Sequence, residues 1–258
     1  MSSRRPEGGE PSSRAQCSRG ERLAEERSAG RARAKQPIIG VLNPNTSDAV
    51  TKGLAVAAGR LCEGWAEVRG HTAVAGAPAL ETVEHLRSAR SEVVRLGRRT
   101  SADAFVVGAF GDPGLADLRR ISSVPCVGIG EAGYRAASQA GAFSILTLGK
   151  DLRETILGRV ASLGFRSQLI DIRFLDAGVL DVASDPVRFV DALLAEADLA
   201  KREGAACLLL GGAPFSGLSS RLSERSAVPV LDGLTSAIAD LRVRLLPGAL
   251  PHDGSPEG

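Results

Sequence analysis

The chain of 258 residues is 43% hydrophobic with a formal net charge of +2, enough to bury a sizeable core and too nearly neutral for a nucleic-acid or anionic-membrane surface. With one Trp, one Tyr and seven Phe it offers no stacking platform for single strands, so its core must be aliphatic. Cys17, Cys62, Cys126 and Cys207 lie far apart without a CxxC spacing and with only three histidines, which indicates neither a disulfide framework nor a structural zinc site and fits buried thiols in a reducing cytoplasm.

Residues 1–36 carry almost no large apolar side chains and cannot offset chain entropy by burial, so a disordered tail is expected there and again over 247–258. No N-terminal apolar segment resembles a signal peptide, and no run approaches the roughly 20 apolar residues of a membrane span, so a cytoplasmic location is expected. Between the tails, strands and helices alternate. The pattern predicts strands at 38–43, 66–73, 103–109 and 124–129, with helices from Asp48, over 80–99, 114–121 and 131–140. A second series follows, with strands at 142–148, 168–175, 205–211 and 228–232 and helices over 151–163, 186–203, 217–224 and 234–243. Short apolar runs such as AFVV and CLLLG are those of strands covered on both faces, and their alternation with helices implies parallel sheets with right-handed crossovers.

The two series are a repeat. VVGAFGDPGL at 106–115 reads against LLGGAPFSGL at 209–218, and VPCVGI at 124–129 against VPVLDG at 228–233, with both pairs about 100 residues apart. The expected fold is therefore α/β, two pseudo-symmetric lobes with parallel sheets flanked by helices: 37–131 as the first lobe, 132–228 as the second, and 229–246 returning to the first. Ligands of such sheets bind beyond the carboxyl ends of the strands, where the repeat pairs Ala109 with Gly212.

Four motifs fall at those strand ends. NPNTS at 43–47 places Asn45, Thr46 and Ser47 before a helix, where hydroxyls cap the helix and free amides attract a carboxylate. In GDPG at 111–114, Gly111 and Gly114 are expected to take unusual dihedrals and Asp112 to cap the short helix, with a place at the cleft rim as its competing role. GIGEAG at 128–133 has dinucleotide-binding spacing, but Asp151 falls at a helix start rather than at the end of the next strand, so the glycines read as those of a tight turn. Glu131, directly after a strand, is placed either to stabilise its own helix or to transfer a proton to substrate. Of the histidines, only His71 is placed to reach a cleft, while Cys126 and Cys207 lie inside apolar strands as inert hydrophobes.

Taken in order, NPNTS, DAFVVGAFGDPGL, VPCVGIGEAG and LLLGGAPFSGL followed by VPVLDG resemble the aspartate/glutamate/hydantoin racemase superfamily over about 38–243. They are most similar to its hydantoin and allantoin racemase branch, with arylmalonate decarboxylase and maleate isomerase as relatives. The resemblance implies an aspartate/glutamate racemase-like fold and cofactor-independent chemistry at a carbon beside a carboxyl or carbonyl group. In those racemases two cysteines face each other across the substrate, and the motifs place them where this sequence has Ala109 and Gly212. A methyl group and a hydrogen cannot exchange protons, so two-thiol racemisation is not expected.

What the resemblance leaves is a binding apparatus of Asn45, Thr46, Ala109, Phe110, Thr147, Gly212 and Ala213, with Glu131 and Asp112 as candidate acids. The expected ligand is a small carboxylate or imide. No metal, cofactor, nucleic acid or membrane partner is expected, and a homo-oligomer is compatible with the sequence. An isomerase or lyase and a non-catalytic ligand-binding protein that keeps the cleft are the two readings.

Overall fold

The computed structural model describes residues 36–246. The expectations of disorder over 1–36 and 247–258 therefore fall, Gln36 apart, outside the described residues. Two four-stranded parallel sheets carry the fold. The first contains β1 (Ile38–Asn43), β2 (Glu67–Thr72), β3 (Ala104–Val107) and β4 (Cys126–Gly128) in the order β2-β1-β3-β4. The second contains β5 (Phe143–Thr147), β6 (Leu169–Phe174), β7 (Cys207–Gly211) and β8 (Val230–Asp232) in the order β6-β5-β7-β8. The same order in both is the structural counterpart of the sequence repeat. The inner strands β3, β5 and β7 are buried at every position, as expected of apolar runs covered by helices on both faces.

Helices α1 (Asp48–Leu61), α2 (Val83–Arg99), α3 (Leu115–Ile121) and α4 (Ile129–Ala140) accompany the first sheet in sequence. α5 (Arg153–Ser162), α6 (Val179–Ser184), α7 (Val190–Arg202), α8 (Ser219–Ser223) and α9 (Gly233–Leu245) accompany the second. Caps set several starts: the Ser47 hydroxyl accepts from Val50 N, and that of Thr82 from His85 N, so α2 begins at Val83 rather than at 80. The predicted helix 186–203 is instead a 3₁₀ turn, Pro186–Phe189, followed by α7. α6 was not anticipated. It is a short helix that buries Val179 and Val182, one helical turn apart, and its first amide donates to Glu81 Oε1 at 2.7 Å.

The halves are joined through α4 and α9. β8 stays in the second sheet, while α9 packs on α4, α1 and β4. Glycines permit this crossing: a Cβ on Gly233 would lie 2.0 Å from the Ile129 carbonyl oxygen, and one on Gly133 would lie 3.3 Å from the Gly233 Cα. Among the described residues no helix is long and apolar enough to cross a membrane.

Candidate functional site

The carboxyl ends of β1, β3, β5 and β7 converge on one cavity of about 240 Å³. Asn45, Ala109, Phe110, Thr147, Gly212 and Ala213 all line it, whereas Thr46, Asp112 and Glu131 do not. The Phe110 ring closes one side against Gly211, where a Cβ would come within 2.4 Å of the ring, and meets Tyr134 edge-on at 4.9 Å. Gly212 is held at φ +148°, a conformation that a residue with a side chain rarely adopts.

NPNTS folds into a closed network. Asn43, fully buried, donates through Nδ2 to Asn45 Oδ1 at 2.8 Å and Thr51 Oγ1 at 2.9 Å, and its Oδ1 accepts from Asn45 N. Asn45 Oδ1 also accepts from Ser47 N, so what its side chain can still offer the cavity is Nδ2. Thr46 N donates to the Ala77 carbonyl instead. Thr147 Oγ1 donates to the Gly211 carbonyl and ties β5 to β7 at the cavity wall.

Asp112 does not cap the short helix α3, whose N-cap is Gly114 at φ +70° with no side-chain bond. Its buried carboxylate caps α4 instead, accepting from Gly130 N at 2.9 Å and Glu131 N at 2.6 Å. This explains GIGEAG. A Cβ on Gly128 would stand 2.1 Å from Asp112 Oδ1, and one on Gly130 would stand 2.0 Å from the Phe110 carbonyl oxygen. These glycines, like Gly111, have no positive φ; what they provide is close approach rather than unusual dihedrals. Burial pushes the Asp112 carboxyl up to about 7, against the pull of the two amides and of Arg159.

Glu131 sits in an ion cluster outside the cavity, with Arg119 at 3.0 Å, Arg135 at 3.1 Å and Arg159 at 3.3 Å. Burial works against its ionisation, but Arg119 and Arg135 outweigh that and hold the carboxyl below the usual glutamate range. It is thus a poor proton donor near neutrality.

Three features of the cavity were not anticipated. α5 lays Thr155, Ile156 and Arg159 along the wall at helical spacing, Leu152 joins them from the 3₁₀ turn just before the helix, and Leu80 and Leu86 add apolar surface from the first half. Among the described residues Arg159 is the one charged side chain of the lining, and Tyr134 brings a phenol that burial keeps protonated. None of the described cysteines lines the cavity: burial pushes the Cys62 and Cys207 thiols up to about 11 and raises that of Cys126. His71 is likewise absent from the wall.

An α/β pair of equivalent sheets with a cavity between their equivalent loops defines a class, and comparison with known proteins gives that class a name. Residues 39–241 match the Asp/Glu/Hydantoin racemase family. The chain belongs to that family. It is similar to a hydantoin racemase of a Pseudomonas strain, 32% identical over 205 residues that make up 78% of this chain and 82% of the relative. Among solved structures it is similar to the allantoin racemase of Klebsiella pneumoniae, with a TM-score of 0.77 and 26% identity over 86% of this chain and 97% of that one. The allantoin racemase of Pseudomonas fluorescens gives a TM-score of 0.74 with 29% identity over 81% and 91%. Arylmalonate decarboxylase and a maleate cis-trans isomerase, at 21% and 17% identity, share the fold.

Proposed function

We propose that this chain is a cofactor-independent isomerase or lyase that binds a small hydantoin- or amino-acid-like molecule in the cavity and acts beside its carboxyl or carbonyl group, without a thiol pair. The observation that carries this reading is the cavity wall. The equivalent loops after β3 and β7 both face it, and the two residues at their heads, Ala109 and Gly212, are not ionisable. Backbone N–H groups of such loops survive side-chain replacement and stabilise negative charge on a carbonyl or carboxylate oxygen. Decarboxylation requires that stabilisation and a later proton donor but no base to remove a C–H proton. Neither candidate acid lines the cavity: Asp112, pushed up to about 7 by burial, caps α4, and Glu131 is held ionised within its arginine cluster.

The second reading is a ligand-binding protein without turnover, favoured by the same absence of an ionisable group at Ala109 and Gly212. Proton NMR in heavy water separates the readings, using 5-substituted hydantoins, amino acids and 2-substituted malonates. Turnover of a malonate, or exchange at a hydantoin α-carbon that exceeds the protein-free background and survives Cys126→Ser and Cys207→Ser, supports the enzyme. Binding without any change in the ligand supports the second reading. Rapid exchange that either serine variant abolishes would show that a thiol does the chemistry after all.

A further inference from the structure

The cavity holds two donors that the chain itself leaves unused. The Tyr134 hydroxyl is fully buried without a hydrogen-bond partner, and Arg159 Nε is likewise buried and unpartnered, although both residues line the cavity. Buried polar atoms in folded proteins are almost always satisfied, so two orphaned donors among the residues that line one cavity point to a group that arrives with the ligand. That group must accept, because a guanidinium has no lone pair to offer and the phenol stays protonated.

Its charge follows from the surroundings. Arg119, Arg135 and Arg159 share the single carboxylate of Glu131, which leaves a surplus of positive charge behind the wall, and Asp112, the other acid close by, is pushed by burial towards its neutral form. Its position follows from α5. Leu152, in the 3₁₀ turn before the helix, and Ile156 in its first half come first, and Arg159 lies one turn further on, so an apolar stem leads to a cationic end.

We propose that Tyr134 and Arg159 form a subsite for a carboxylate at the end of the substrate's side chain. The cavity then selects hydantoins or amino-acid-like molecules with an acid-terminated substituent over those with an aliphatic one of the same size. This rests on the reading of the cavity as the substrate site.

The test is calorimetric titration of the full chain with 5-(2-carboxyethyl)hydantoin and its uncharged isostere, 5-isopentylhydantoin. Wild type is expected to bind the acid at least about tenfold more tightly, the worth of one hydrogen bond to a charged group. Arg159→Met should abolish that preference, and Tyr134→Phe, which keeps the ring packed on Phe110, should reduce it several-fold while changing isopentylhydantoin affinity by less than about twofold. Arg159→Gln replaces the methionine variant if loss of the Glu131 contact prevents folding. Equal affinities in wild type, or a preference that survives both changes, would overturn the subsite and leave the reading of the cavity intact. If neither hydantoin binds to wild type, the reading of the cavity falls and takes the subsite with it.

Discussion

Replacing Asp112 tests the architecture around the cavity most directly. The side chain is 6% exposed and accepts from two amides at the start of α4, so Asp112→Ala leaves Gly130 N and Glu131 N buried without acceptors. An orphaned buried donor costs about 1–3 kcal/mol, and loss of a helix cap is worth about 0.5–2 kcal/mol; since the two overlap, about 3 kcal/mol is expected in total. The backbone adds a second contribution. Asp112 has φ +47°, which alanine tolerates worse than glycine, so Asp112→Gly should recover about 1 kcal/mol of the loss. Asp112→Asn keeps one acceptor but turns an N–H toward the other amide, for a loss of about 1.5 kcal/mol.

The pH dependence has a definite sign. With its carboxyl raised to about 7 in the folded chain, Asp112 binds its proton more tightly folded than unfolded. Its contribution is therefore complete below the unfolded value and is lost as pH rises through about 7, at no more than ~1.4 kcal/mol per pH unit. Urea unfolding followed by circular dichroism at pH 5, 6, 7 and 8 reads both effects. Relative to Asp112→Asn, wild type should lose stability from pH 5 to about 7 and level off towards pH 8. An Asp112→Ala variant within about 0.5 kcal/mol of wild type, or a wild type that gains on Asp112→Asn as pH rises, would refute the reasoning.

Gly212→Ala places a side chain at φ +148° and should cost about 1–3 kcal/mol in the same assay, although its Cβ would find only ordinary contacts beginning at 3.5 Å; an unchanged midpoint would show that this loop relaxes. Arg173, 9% exposed, holds Asp171, Glu196 and Glu203 together at the edge of the second sheet. Arg173→Met should cost about 1–3 kcal/mol, the partly solvated carboxylates moderating the loss, and raising the salt concentration should shrink the difference from wild type.

What was legible in the sequence divides along the range of the interaction. Strand ends were legible because apolar runs such as AFVV and CLLLG stop at glycine, which set Ala109 and Gly212 just beyond the carboxyl ends of two equivalent strands, while Asn45 and Thr147 came with the family resemblance. Arg159 was not. It is one of 32 Lys and Arg residues, and nothing local to a mostly polar helix tells which of its cations turns inward. Tyr134, on α4 behind the GIGEAG turn, was hidden in the same way. Asp112 was read as the cap of the nearest helix, yet its partners lie 18 and 19 residues away, across β4. The glycines of GIGEAG were legible as necessary, but the reason is that Asp112 and the Phe110 carbonyl oxygen occupy the space their side chains would take.

The repeat offers a test of that cap. In the second half α9 is capped by Asp232, its own preceding residue, which accepts from Thr235 N at 2.9 Å and from the Thr235 and Ser219 hydroxyls. Aligning VPCVGIG with VPVLDGL puts Gly128 where Asp232 stands. The first half thus supplies the carboxylate from the neighbouring loop and removes the side chain at 128 that would collide with it. Gly128 has φ −102° and ψ 142°, close to the −133° and 153° of Asp232, so an aspartate there is acceptable to the backbone. Gly128→Asp alone should be destabilising, since its Cβ meets Asp112 Oδ1 at 2.1 Å and two carboxylates would crowd one helix start. Joined to Asp112→Gly, the same change should restore the cap locally and recover about 2 kcal/mol of the single variant's loss, a favourable coupling in a double-mutant cycle. Additive losses from the two changes would mean that the carboxylate positions of the two halves are not interchangeable, and that the equivalence of α4 and α9 ends at the backbone.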